Sequence, residues 1–136
     1  MNQQKGIETQ QVTSSYEDAI MYNRRERMPI LKPCFDTELT WGEIKNCSDE
    51  KLLEIIYTNL KMPKEVRGIC NFHKRVIVQF SIGVDGVIYN IRFPRKEESY
   101  FQEEAKRLVC LLPDWKPGNM YGKDVEVTYT LPIKFD

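Results

Sequence analysis

The stretch that decides the fold is VIVQFSIGVDGVIYNIRF, residues Val76–Phe93, in which apolar and polar residues alternate on both sides of Asp85-Gly86. Alternation with a period of two predicts β-strands, and Asp-Gly between two such runs predicts a hairpin. The apolar set is Val76, Val78, Phe80, Ile82 and Val84 in the first arm, and Val87, Tyr89, Ile91 and Phe93 in the second. Both sets share one face only if the turn has an even number of residues, so we expect Val84 opposite Val87.

A third strand is predicted at the end of the chain, where apolar and polar residues alternate from Asp124 to Phe135. Two strands alone are not stable in water, so the hairpin needs this strand and a cover of helices. The fold class that follows is α+β. We expect a three-stranded antiparallel sheet, made of the hairpin and the C-terminal strand, covered on one face by two helices.

The two covering helices are predicted from apolar residues at helical spacing. The first is Ser48–Leu60, with Ser48 as a good N-cap before two acidic residues. The second spans residues 101–112, where Ser99 and Gln102 have the spacing of a capping box and a proline follows. Their apolar stripes provide the lid that the apolar sheet face requires.

The position of the last strand is left open by the sequence. A strand, helix, strand connection places it either outside the second arm of the hairpin or beside the first arm. In the second case Asp124–Leu131 becomes a free sheet edge, whose backbone groups have no partner within the sheet.

Three segments are predicted along the chain. Residues 1–15 are polar and rich in Gln, Thr and Ser, which is typical of a disordered tail or the end of a linker. Residues 16–47, with Pro29 and Pro33, are expected to form an irregular N-terminal extension packed on the core. The folded domain is predicted to span residues 48–136.

Composition excludes several classes of function. Lys plus Arg is 20 and Asp plus Glu is 20, so no net field favours nucleic acid. The only histidine, His73, has no ligand or acid at a suitable spacing, and no nucleophile, acid and base set is present. We therefore expect no enzyme activity, no cofactor and no metal. No apolar run approaches the roughly 20 residues of a membrane span, so the chain as given is expected to be soluble.

Four motifs in a fixed order carry a family resemblance over about residues 48–136. They are Met62-Pro63, V-x-V-x-F-x-I-x-x-D-G-x-I from Val76, L-P-x-W-x-P-G from Leu112, and G-K-x-V-x-V-x-Y-x-L-P-I-x-F from Gly122. In these the chain resembles the C-terminal domain of TonB, and more closely the TonB-related energy transducers of Gram-negative bacteria. It departs from the pattern at Met62, where the family commonly has tyrosine.

The resemblance implies a periplasmic, non-catalytic protein-binding domain. In full-length context such a domain is anchored in the inner membrane, is driven by proton-driven motor proteins, and captures an extended segment of outer-membrane TonB-dependent receptors. Capture is expected by strand addition to the last strand, a known recognition mode. The protein-binding residues implied are Val125, Glu126, Val127, Thr128, Tyr129, Thr130 and Leu131, with flanking contacts at Trp115 and Tyr121.

The resemblance also implies a disulfide between Cys34 and Cys47, because related chains tend to carry a cysteine at each of these places. A second function remains open beside receptor capture. The same free edge could pair with its own copy, which would make the chain a structural or assembly module that forms a homodimer.

Overall fold

Helices and antiparallel strands make up residues 26–136, the part of the chain that the computed structural model describes. The first segment has strands β1 (Glu26–Arg27) and β2 (Ile30–Leu31), a 3-10 turn (Lys32–Cys34) and helix α1 (Trp41–Asn59). A 3-10 turn (Lys64–Val66) leads to strands β3 (Lys74–Ile82) and β4 (Ile88–Arg92). Helix α2 (Ser99–Val109) and strands β5 (Trp115–Lys116), β6 (Gly118–Met120), β7 (Lys123–Val125) and β8 (Val127–Phe135) follow. The predicted tail, residues 1–15, lies outside the described residues, as does the start of the predicted extension.

The main sheet has the strand order β4, β3, β8, and all its pairs are antiparallel. The last strand thus lies beside the first arm of the hairpin. Its register with β3 is unbroken from Ile82 opposite Val127 to Lys74 opposite Phe135. Two smaller sheets pair β1, β6 and β7 in that order, and β2 with β5. The α+β class with two helices is confirmed.

The predicted two-residue turn of the hairpin is wrong. Ile82 pairs with Ile88, so the connection is residues 83–87, an odd number. Val84 and Val87 do not face each other in the sheet, and they are 58% and 50% exposed. An odd connection puts Tyr89 on the polar face opposite Ser81.

A β-bulge brings the rest of β4 back to the core face. The register of β3 and β4 shifts between the pairs Ser81 with Tyr89 and Gln79 with Arg92, and Asn90 there has φ of 54°. One extra residue inverts the side-chain alternation that follows it. Ile91 therefore packs against the core, as the sequence predicted, although by a different route.

Helix α1 begins seven positions earlier than the sequence predicted. Thr40 is its N-cap, because the Thr40 hydroxyl accepts the Glu43 N–H while the Glu43 carboxylate accepts the Thr40 N–H. Ser48, predicted as the cap, is instead buried within the helix, where its hydroxyl accepts the Leu31 N–H at 2.9 Å. Part of the segment predicted to be irregular is thus helix or strand, and the predicted boundary at residue 48 falls inside α1.

The start of helix α2 also differs from the prediction. Ser99 is its first helical residue and not its cap, since Glu98 occupies the N-cap with no side-chain hydrogen bond. The Gln102 side chain donates instead to the Glu97 carbonyl at 3.3 Å. The helix ends at Val109, whereas the sequence predicted that it continues to residue 112.

The core lies between the sheet and the two helices. Its buried side chains come from both helices, from β3 and β8, and from β2 and β5. They include Leu52 and Ile56 of α1, Phe101, Ala105 and Leu108 of α2, Val78 and Phe80 of β3, Leu131 and Ile133 of β8, Leu31 of β2 and Trp115 of β5. This burial on one face leaves the opposite face of the main sheet polar.

Candidate protein-binding edge

The strand predicted from Asp124 onward is divided at Glu126. Lys123–Val125 pairs with β6 in a small sheet, with Val125 opposite Gly118. Only from Val127 onward does the chain pair with β3 in the main sheet. Of the predicted binding residues, Val127, Thr128, Tyr129, Thr130 and Leu131 therefore form the edge of the main sheet, whereas Val125 and Glu126 precede it.

The outer side of β8 has no strand partner within residues 26–136. One residue shows which backbone groups face outward: the Lys134 N–H donates to the Tyr57 hydroxyl of α1 at 3.0 Å. Because strand residues alternate between the two sides, Thr128, Thr130 and Pro132 point their backbone groups the same way as Lys134. Proline is tolerated at such an outward position, since no ladder bond is lost there.

The side chains on the polar face tie β8 to the other two strands. Gln79 Nε2 donates to Thr130 Oγ1 at 3.1 Å, and Arg92 Nη2 donates to Thr128 Oγ1 at 3.3 Å. At the start of the strand the Tyr89 hydroxyl donates to the Glu126 carboxylate. That hydrogen bond, followed by smaller desolvation and charge effects, raises the pKa of Tyr89. These contacts hold β8 in place from its polar face and leave the outward backbone groups of Thr128 and Thr130 without a partner strand in residues 26–136.

The core-facing side chains of β8 are unavailable to a partner. Tyr129 is 4% exposed and Leu131 is 1% exposed. Along this edge a guest could therefore touch the backbone and the side chains of Thr128 and Thr130, which lie on the polar face.

The two predicted flanking residues lie in different surroundings. Trp115 is 1% exposed, and its ring centroid is 5.1 Å from that of Tyr129, so it supports the strand from within. Tyr121 is 63% exposed at the tip of the β6–β7 hairpin. Its φ of 52° and that of 85° at Gly122 form a two-residue turn of the mirror-image type common in hairpins. Only Tyr121 can touch a partner directly.

A cleft of about 360 Å³ lies near this hairpin. Sequence reasoning missed it, because it predicted residues 16–47 only as an irregular extension packed on the core. Cations cover two of its aromatic walls. The Arg27 guanidinium is 4.8 Å from the Trp41 ring centroid, and Lys116 Nζ is 4.4 Å from that of Phe35. The remaining lining comes from Pro117, Asn119, Gly122 and Asp124. The Trp41 and Phe35 rings thus form walls of a surface groove, and a cationic side chain lies over each of them.

A disulfide joins Cys34 to Cys47, with Cα atoms 5.7 Å apart. It links the turn after β2 to α1 and so holds the N-terminal strands on the helix. In the part of the chain that the structure describes, no group of three or more His, Cys, Asp or Glu residues is arranged to hold a metal ion. Within residues 26–136 no helix combines the length and the apolar character needed to cross a bilayer.

Comparison with protein families places the second half of the chain in a known family of domains. Residues 71–136 match the family model described as Gram-negative bacterial TonB protein C-terminal. Comparisons with curated proteins and with solved structures give no significant match. The matched segment contains the whole main sheet and α2. Residues 71–136 therefore belong to the TonB C-terminal family, the protein-interaction domains of TonB-like energy transducers in Gram-negative bacteria.

Proposed function

We propose that this domain captures an extended segment of an outer-membrane TonB-dependent receptor by adding it as a strand to the outer edge of β8. The observation that carries the proposal is the outer side of that strand, which pairs with no other strand of residues 26–136 and where the backbone groups of Thr128 and Thr130 face away from β3. Strand addition uses such backbone groups for affinity and alternate side chains for specificity.

The other edge of the sheet is less suitable for a guest. Strand β4 is only 5 residues long and carries the bulge at Asn90, whose φ of 54° interrupts the regular spacing of backbone donors. Short and bulged edges resist strand pairing. In contrast, β8 has 9 residues in one continuous register. This contrast favours β8 as the receptor-binding edge.

The proposed setting is the periplasm, where the domain would be connected in full-length context to the inner membrane and its proton-driven motor proteins. The family match supports this setting. The disulfide between Cys34 and Cys47 is independent support, because disulfides persist in oxidising compartments such as the periplasm.

The test compares two substitutions at one position, Thr128→Pro and Thr128→Ala. Proline removes the outward N–H that a guest must bond, whereas alanine keeps it. We expect the peptide affinity of Thr128→Pro to fall at least about tenfold and that of Thr128→Ala to change by less than about threefold. Fluorescence polarisation with a labelled peptide from the N-terminal segment of a TonB-dependent receptor measures both.

Folding of the proline variant is checked by circular dichroism, and Pro132 on the same side of the strand indicates that proline is compatible with this edge. Equal losses in both variants would point to recognition through the Thr128 side chain. Unchanged affinity in Thr128→Pro would place the receptor elsewhere on the domain.

Homodimer formation is the second candidate function, and one feature of the edge favours it. Outward groups at Thr128 and Thr130 are arranged so that a two-fold axis near Tyr129 would pair Thr128 of one copy with Thr130 of the other. Light scattering separates the two candidates. A monomer at all concentrations that binds the receptor peptide supports capture, whereas a tight dimer that excludes the peptide supports assembly.

A further inference from the structure

The open edge of β8 is shorter than the strand itself. Outward positions along the strand are Thr128, Thr130, Pro132 and Lys134. Pro132 has no N–H, and the N–H of Lys134 is already bonded to the Tyr57 hydroxyl. Thr128 and Thr130 are therefore the only outward positions of β8 whose backbone N–H has no partner among residues 26–136.

Tyr57 does more than bond one donor. Its hydroxyl oxygen lies 3.0 Å from the Lys134 nitrogen, in the place where the carbonyl oxygen of an added strand would have to lie. The Tyr57 side chain projects from α1, whose neighbouring Ile56 is fixed in the core at 1% exposed. A guest strand that continued past Pro132 would have to displace this ring.

We propose that Tyr57 and Pro132 together end the docking edge, so that a receptor segment pairs only with the N-terminal part of β8, in a register centred on Thr128 and Thr130. This inference rests on the proposed function. It specifies the partner as a short extended segment, because a longer one gains no further backbone donor from β8.

The chemistry of the partner's side chains follows from the same register. On the polar face a guest residue beside Thr128 or Thr130 meets hydroxyl groups that already accept from Arg92 and Gln79. Near the start of the edge it meets the Glu126 carboxylate, which accepts from Tyr89. Side-chain contacts of the guest would add to the hydrogen bonds that the backbone groups of Thr128 and Thr130 offer. Small polar or hydroxyl side chains on the guest fit this face best.

Amide hydrogen exchange on the full chain, followed residue by residue by NMR, tests the inference. In the free protein we expect the Thr128 and Thr130 amides to exchange fast and the Lys134 amide to exchange at least about tenfold slower, the ratio that one hydrogen bond supplies. Tyr57→Phe should remove the slow exchange of Lys134 and leave Thr128 and Thr130 unchanged.

Addition of a saturating receptor peptide provides the second arm. We expect protection of Thr128 and Thr130 to rise at least about tenfold, with no change at Lys134. Fast exchange of Lys134 in the free protein, or further slowing of Lys134 by the peptide, would overturn the proposed end of the edge while leaving strand addition intact. A peptide that binds without protecting Thr128 and Thr130 would overturn strand addition itself.

Discussion

Gly86 packs the β3–β4 connection against Trp115 of β5. Its replacement by alanine should therefore reduce the free energy of unfolding more than a Gly→Ala substitution usually does. Its φ is 80°, its carbonyl accepts the Trp115 N–H at 3.1 Å, and a Cβ built on it would lie 2.1 Å from the Trp115 carbonyl oxygen. A backbone atom cannot move aside as a flexible side chain can. Relief of the clash requires the hairpin loop and β5 to separate.

The magnitude can be worked out with two matched controls. Gly68 and Gly122 have φ of 84° and 85°, yet a Cβ on either would meet nothing within 4 Å. Alanine at either position destabilises the fold only through the left-handed conformation, by about 1–2 kcal/mol. Roughly 0.4–1 kcal/mol is recovered because alanine lowers the conformational entropy of the unfolded chain. Gly86→Ala adds overpacking, about 1–3 kcal/mol, and the loss of a hydrogen bond, about 1 kcal/mol. We expect a total of about 3–5 kcal/mol.

Urea unfolding monitored by tryptophan fluorescence measures the three variants under one condition. The controls should lose about 1 kcal/mol each and Gly86→Ala at least about 2 kcal/mol more than either. Trp115 should report the change directly, because its ring is 1% exposed and packs against Phe80 and Tyr129. If all three variants lost the same free energy, the close approach of Gly86 to Trp115 would be refuted.

Two further predictions test the helices. Ser48→Ala should destabilise the fold by about 1–3 kcal/mol, because the buried Leu31 N–H loses its acceptor. Ser99→Ala should cost less than about 0.5 kcal/mol, because Ser99 makes no capping hydrogen bond. Thermal unfolding compares the two variants, and equal effects would contradict the roles assigned to the two serines. Partial burial raises the pKa of Glu104, but its hydrogen bonds from Arg107 and from a backbone N–H outweigh burial and the pKa lies below its usual 4.5. The stability that this carboxylate contributes is therefore complete above pH 4.5 and is lost as the pH falls through the lowered pKa. When the free energy of unfolding is measured from pH 6 to 3, Glu104→Gln should lose less stability on acidification than the unsubstituted protein. An equal loss in both proteins would count against the hydrogen bonds from Arg107 and the backbone.

Strand β8 and helix α2 could be predicted because their signals are local and agree with their surroundings. From Val127 onward every second residue is wholly or partly buried, and the apolar stripe of α2 meets the sheet as its spacing indicates. The same local patterns carry the family resemblance, so the family was also predictable. What these patterns leave undetermined is the pairing of strands, since period two is the same for either neighbour.

The errors have a common physical origin in contacts that sequence periodicity does not register. Val84 and Val87 continue the alternation but are exposed, since the loop docks through Gly86 on Trp115 and leaves them in solvent. At Glu126 the extended strand divides because β7 finds a partner in the β6 hairpin, a pairing set by the turn at Tyr121 and Gly122. In each case a tertiary contact overrides a correct local tendency.

The proposed end of the docking edge depends on a part of the chain that the family match does not include. Tyr57 lies in α1, which precedes the matched residues 71–136. Leu31 of β2 and Leu52 and Ile56 of α1 also precede that segment, and they are buried in the same core as the main sheet. Without α1 and β2 the matched segment would expose the part of its apolar sheet face that α2 does not cover. Each apolar side chain lost from the core would remove about 1.5–3 kcal/mol of stabilisation. Helix α1 thus completes the core and also bonds one outward backbone donor of β8, that of Lys134. If a receptor segment adds to β8 as proposed, substitution of Tyr57 would release the Lys134 N–H for pairing without altering the sequence of β8.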